Sequence, residues 1–303
     1  MLYPAELRGP KRPFSTRGGK ARSPPAAASV IGLGIMHLSP ISPALWAAVL
    51  LATAGAALAD EAGAQASACA PAAGPTVAVA DVIDGDTLRL ADGRTVHIAG
   101  IEAVKAGAAG GPTAVLAREA RDEIGRLAGT GVVPGVVQPA AADRYGRLHA
   151  DVWLGDGRSV GVTLVTAGLA RVRLFPGEKP CLARLFAAEA AARAARRGLW
   201  ALPDFAVRPA GDPSLLARTG LYELVEGRVA SVGHGKYMVF LDFGREYRRD
   251  FTIMVPTTLS DALALPVDAY KGRRVRVRGV IEESGGPAIR LSGPDEIELL
   301  DGN

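Results

Sequence analysis

From Val77 onward, apolar and polar residues alternate in short runs separated by Asp-Gly pairs. Val77 to Ile83, Thr87 to Leu90 and Thr95 to Ile101 read as three strands joined by turns at Asp84-Gly85 and Asp92-Gly93. The period then lengthens. A Gly-rich loop, Gly107 to Gly111, leads into a helix from about Thr113 to Leu127, with Val115, Leu116, Ile124 and Leu127 on its apolar face. Two further strands follow, Val132 to Val137 and Leu148 to Leu154, with a turn at Asp156-Gly157. Ser159 opens a helix through Gly168, and a long Ala-rich helix from Cys181 to Arg197 ends at Gly198-Leu199-Trp200. Strands followed by helices indicate an α+β, mainly β class.

A polar, Pro-containing stretch from Pro203 to Pro213 separates a segment of different character. Strands are expected at Tyr222 to Val232, Lys236 to Phe243 and Tyr247 to Val255, then a short helix near Thr258 to Leu265. Further strands fall at Arg273 to Glu282, Ala288 to Leu291 and Glu296 to Leu300. That order is the order of a second, smaller OB-like β-barrel. With 303 residues the chain is long enough for two cores. The expected divisions are a leader over 1–59, a linker over 60–76, a first domain over 77–202, a linker over 203–219 and a second domain over 220–303.

Charge changes the picture at the front. Residues 1–59 hold six Lys and Arg against one Glu, which leaves 29 basic and 30 acidic residues in the remainder. The mature chain therefore has no global positive field to attract a polyanion, and any such surface must be local. The leader combines a basic Pro/Ser-rich stretch, an apolar run from Ala44 to Ala59 and small residues before Asp60, the pattern of an export signal. Its 16 apolar residues fall short of the roughly 20 needed to span a bilayer, so no permanent membrane anchor is expected. Either Met1 or Met36 serves as the start. An exported chain meets oxidising conditions, and Cys69 and Cys181 are candidates for a disulfide.

Three motifs carry candidate chemistry. Val82-Ile83-Asp84-Gly85-Asp86-Thr87 sets two carboxylates around a glycine turn. Val96-His97-Ile98-Ala99-Gly100-Ile101-Glu102-Ala103-Val104-Lys105 delivers a carboxylate just past a strand end. Asp143-Arg144-Tyr145-Gly146-Arg147 presents an arginine from a turn, followed by Asp151-Val152-Trp153-Leu154 and Val165-Thr166-Ala167-Gly168-Leu169-Ala170.

In this order and spacing, through Gly198-Leu199-Trp200, the set resembles the thermonuclease (staphylococcal-nuclease-like) family over about 125 residues. The resemblance implies a five-stranded OB-type barrel with three helices, a bound Ca²⁺ and hydrolysis of DNA or RNA phosphodiesters. It assigns Asp86 and Glu102 to the metal, with the main-chain carbonyl of Ala103; in the alternative where Glu102 acts as base, Asp84 joins Asp86 at the metal. Arg147 falls on a phosphate-binding arginine. His97 stands where the first arginine is expected, and Lys105 where the catalytic glutamate is expected. A protonated lysine does not take a proton from water, and losing a general base costs ~10²- to 10⁴-fold in rate. A histidine also lacks the guanidinium fork that grips two phosphate oxygens.

The expectation is therefore an exported, nuclease-like protein that binds nucleic acid or a nucleotide phosphate with weak or no turnover. Two alternatives stay open: an active Ca²⁺-dependent nuclease with Glu102 as surrogate base, or with Lys105 displaced and Glu119 or Asp122 nearby, and a non-catalytic scaffold. His149 and His234 read as isolated. Arg184, Arg193, Arg196 and Arg197 read as a solvated helix face. Alternating Arg274, Arg276 and Arg278 suggest a strand with one cationic face, used for domain packing, for docking an unidentified protein partner or, with Tyr237, Phe240, Phe243, Tyr247 and Phe251 nearby, as a platform for single-stranded nucleic acid.

Overall fold

A computed structural model describes residues 69, 74–106, 111–136, 142–175, 181–246 and 248–300. All belong to one compact unit, Ala57–Asn303. The expected leader and the loop from Gly107 to Gly110 lie outside the described residues. Among the described residues no helix is long and apolar enough to cross a membrane.

The first half is built from β1 (Val79–Asp84), β2 (Thr87–Leu90), β3 (Thr95–Ile98), β4 (Ile101–Ala103), α1 (Pro112–Leu127), β5 (Val132–Val136), β6 (Leu148–Leu154), α2 (Val160–Ala167), β7 (Ala170–Val172) and α3 (Leu182–Ala194). Five strands form a sheet in the order β1-β2-β3-β6-β5, with β3 and β6 parallel, while β4 and β7 pair apart from it. The expected third strand breaks at Gly100, which turns with φ +73° and separates β3 from β4. Ser159 caps α2 by accepting a hydrogen bond from the Val162 amide, and Gly168 ends it in the left-handed conformation.

The sheet is open, not the closed barrel expected. Its edges meet only at Val77 and Val132, which exchange two backbone hydrogen bonds of 2.8 and 2.9 Å. Pro134 brings no N–H to β5, and β1 is irregular at two points, so a continuous ladder does not extend between them. Leu88, Ile98, Ile124 and Leu164 lie fully buried in the core that the sheet shares with α1 and α2. Each such side chain stabilises the fold by about 1.5 to 3 kcal/mol relative to exposure. Cys69 is joined to Cys181, at the N-terminal end of α3, by a disulfide across 112 residues of sequence.

The second half contains β8 (Arg208–Pro209), β9 (Tyr222–Arg228), β10 (Ser231–His234), β11 (Met238–Asp242), β12 (Thr252–Pro256), β13 (Arg274–Glu283), β14 (Pro287–Arg290) and β15 (Ile297–Leu299). The order is β10-β11-β12-β14-β13-β9-β8, with β15 added against β13; this sheet is also open. The expected helix near Thr258 is a pair of 3-10 turns, Thr257–Ala262 and Val267–Tyr270. Pro266 explains the difference, since its ring would clash with the carbonyl of Ala262 in a continuing α-helix.

A seam of Val104, Ala192, Leu199, Trp200, Tyr222 and Leu224 packs the two halves together. Its polar centre is Arg278, which is fully buried. The guanidinium donates to the carboxylates of Glu189 at 3.0 Å and Glu298 at 2.6 Å and to the carbonyl of Val172 at 3.2 Å, and it stacks 4.5 Å from the Phe186 ring centroid. Glu189, itself buried, also accepts from the Val172 amide at 2.8 Å. Arg276 pairs with Glu226 and Glu298. The expected cationic face of this strand is thus spent in packing, and it offers no free platform.

Candidate active site

The turn between β1 and β2 places both aspartates. Gly85 is required there because a Cβ would sit 2.7 Å from the Cβ atoms of both Ala103 and Ala120, so the turn presses directly on β4 and α1. Asp84 stabilises the turn by accepting the Asp86 amide at 3.1 Å. Asp86 points inward and is fully buried. Its carboxylate accepts from the Thr87 hydroxyl at 3.0 Å and from the Ala103 amide at 2.8 Å. Ala103 therefore meets this cluster through its N–H.

Lys105 completes the cluster. Its ammonium lies 2.8 Å from each oxygen of Asp86 and 3.0 Å from Oδ2 of Asp84. Burial alone would raise the Asp86 carboxyl, but the adjacent His97 ring and the Lys105 ammonium outweigh it and hold the group well below the usual carboxylate range. Burial alone would lower Lys105, and Asp86 and Asp84 together raise it instead. Both groups are charged at neutral pH.

Glu102 stands elsewhere. Pairing of β4 with β7 sets it opposite Arg171, whose Nε and Nη2 donate to it at 3.0 and 2.6 Å, and Arg173 forms a second ion pair with the same carboxylate. The structure does not unite Glu102 with Asp86 in one cluster: the two acids draw on different cations. Glu119 and Asp122 are exposed on α1, and Lys105 is held in the aspartate cluster, not displaced toward them.

His97 and His149 sit side by side through the parallel register of β3 and β6. Their ring centroids are 4.9 Å apart, and Phe175 closes edge-on against both. His149 is therefore not isolated, contrary to expectation. Nδ1 of His97 approaches Oδ1 of Asp86 at 3.4 Å without the geometry of a hydrogen bond. Nε2 of His149 lies 3.6 Å from Asp143, which also accepts from Arg147 at 2.8 Å. Burial opposes the charge on Asp143, but Arg147 and the local backbone amides together outweigh it and hold the carboxyl well below the usual carboxylate range. Arg147 and Arg144 lie 5.2 and 4.7 Å from the centroid of Tyr145, whose ring is 66 % exposed.

The sequence model of the family described as staphylococcal nuclease homologue matches residues 95–202. This segment is a staphylococcal-nuclease-like domain. A search of curated proteins finds no match to the chain. The matched segment begins at Thr95, so the Asp84–Asp86 turn precedes it, although β3 joins both to one sheet.

The donor set of the nuclease-like domain does not fit a resident Ca²⁺. Such an ion needs about six to eight oxygen ligands. Here both oxygens of Asp86 and one of Asp84 already face an ammonium, while Glu102 serves two guanidiniums. Among the described residues no three His, Cys, Asp or Glu side chains converge as metal ligands. The expected set of Asp86, Glu102, Ala103 and Asp84 is not gathered around one point in this geometry, where Lys105 supplies the compensating charge to the two aspartates from within the chain. Sequence reasoning missed Arg171 and Arg173. Their alternation with Val172 was a strand signal, but three residues are too short to stand out.

Proposed function

We propose that this protein is an exported, nuclease-like phosphate-binding protein whose ancestral hydrolytic site has weak or no turnover. The observation that carries the reading is the Lys105 ammonium clamped between Asp84 and Asp86. It removes the general base and replaces a metal charge in one substitution. Glu102 makes a poor surrogate base, since its lone pairs are engaged by Arg171 and Arg173. Two aspartates and one lysine leave the cluster with net negative charge, so phosphate is favoured at the edge formed by Arg144, Tyr145 and Arg147, where cations flank an exposed ring. Export is supported by the leader pattern and by the disulfide. An OB-type α+β fold of the first half is supported by the family match over residues 95–202.

The test follows labelled single-stranded DNA with the protein from Asp60 onward, in Ca²⁺ or chelator, reading cleavage and binding together. Binding that is indifferent to chelator, without cutting, and weakened by Arg147→Ala is expected. Cleavage that chelator abolishes would overturn the reading.

A further inference from the structure

A second surface offers the opposite chemistry: three cations, of which only Arg158 has an acidic partner among the described residues. The N-terminal end of α2, its exposed face and α3 enclose a groove of about 510 Å³ bordered by Arg158, Ser159, Thr163, Thr166, Arg184 and Arg197. None of the residues that line it is acidic. Arg158 pairs with the neighbouring Asp156 at 2.8 Å. The other two guanidiniums make only neutral contacts among the described residues: Arg184 reaches the Cys69 carbonyl at 3.5 Å, and Arg197 donates to the Thr166 carbonyl at 3.2 Å.

Each of those guanidiniums has five N–H donors, so among the described residues most of its donor capacity is without a protein partner. The hydroxyls of Thr163 and Thr166 donate back into α2, to the carbonyls of Ser159 and Val162, which leaves their lone pairs and apolar methyls available. Val162 and Ala167 add apolar floor. The rest of the mature chain is close to neutral, so this concentration of positive charge is a local feature. The seam contrasts with it, since Arg193 on the same helix turns inward to Glu226 and Trp200.

We propose that this groove is a binding site for a phosphodiester chain, a single strand whose phosphates pair with Arg184 and Arg197 and whose sugars and bases lie on the apolar floor. Hydroxyls and an apolar floor set between the cations give the sugars and bases of a strand contacts that a flat anionic lipid surface would leave unused. The inference rests on the reading of the protein as phosphate-binding, and adds a second contact region outside the aspartate cluster. Each phosphate neutralised on a single strand contributes about 0.7 to the slope of log affinity against log salt.

Fluorescence anisotropy of labelled single-stranded DNA against salt, with the protein from Asp60 onward, tests it. Arg184→Ala/Arg197→Ala is expected to weaken binding at low salt and to lower the slope by about 1.4, with Arg184→Lys/Arg197→Lys restoring most of it. Melting curves confirm that these surface variants fold. If the alanine pair binds with unchanged slope while Arg147→Ala still weakens binding, the groove proposal is overturned and the phosphate-binding reading stands. If the unaltered protein binds no strand at all, both fall. Binding to phosphatidylserine vesicles without binding to DNA overturns the choice of occupant.

Discussion

Replacing Arg278 by Met tests whether the two halves fold as one body. The guanidinium is fully buried at the seam and is the ionic partner of Glu189, which is 1 % exposed; Glu298 is partly exposed and can regain water. Removing one member of a buried ion pair costs roughly 3 to 5 kcal/mol, because the other charge remains desolvated and unmatched. The Val172 amide still donates to Glu189, which places the expected loss at the lower part of that range, about 3 kcal/mol. For a body of this size about 1 kcal/mol corresponds to 2 to 4 °C, so the melting temperature should fall by about 6 to 12 °C. Adding Glu189→Leu to Arg278→Met removes the stranded charge and should recover most of the loss, whereas independent effects would add. Urea unfolding of the protein from Asp60 onward, followed through the fluorescence of buried Trp153 and Trp200 and through far-ultraviolet circular dichroism, provides the measurement. A single variant costing under about 1 kcal/mol, or a double variant as damaged as the sum of its parts, would refute the argument.

The Asp86–Lys105 pairing should also set a pH window. Asp86 is depressed below its ordinary value of 3.8, so its contribution is complete above that value and is lost as pH falls further. Lys105 is raised above 10.5, so its contribution is complete below that value and is lost as pH rises through the higher folded value. The stability difference between the unaltered protein and Lys105→Met, taken from urea midpoints, should therefore be level from about pH 5 to 10 and narrow at both extremes; a difference that widens in acid would contradict the pairing. Reduction of the Cys69–Cys181 bond should lower stability by up to about 4 to 5 kcal/mol through the freed loop, read as a shift of the same midpoint with dithiothreitol. An unchanged midpoint in the Cys69→Ser variant would show that the bond does not constrain the unfolded chain.

Most of the elements were legible because their signals are local. Asp-Gly turns bounded β1 to β3, Ser159 and Gly168 bounded α2, and the apolar face of α1 fell where its period required. Partners across space were not. Glu102 could be placed just past a strand end, but its pairing depends on β7, whose three residues carry no readable period. His149 looked isolated because parallel pairing of β3 and β6 joins residues 52 positions apart. The Arg-rich strand β13 showed its alternation plainly, yet whether solvent or another domain covers a cationic face is decided by Glu189, which lies on the far helix α3.

The replacements in the active-site region form a consistent set when charge is followed instead of residue identity. A buried carboxylate such as Asp86 is stable only if a cation compensates it, and a metal-dependent site obtains that cation from solution. With Lys105 in reach, the compensation is part of the fold. Glu102 is neutralised separately by two arginines on and beside β7, one of them also donating to the Tyr222 carbonyl at the start of β9. Glu102 thereby ties the nuclease-like half to the C-terminal half through Arg171.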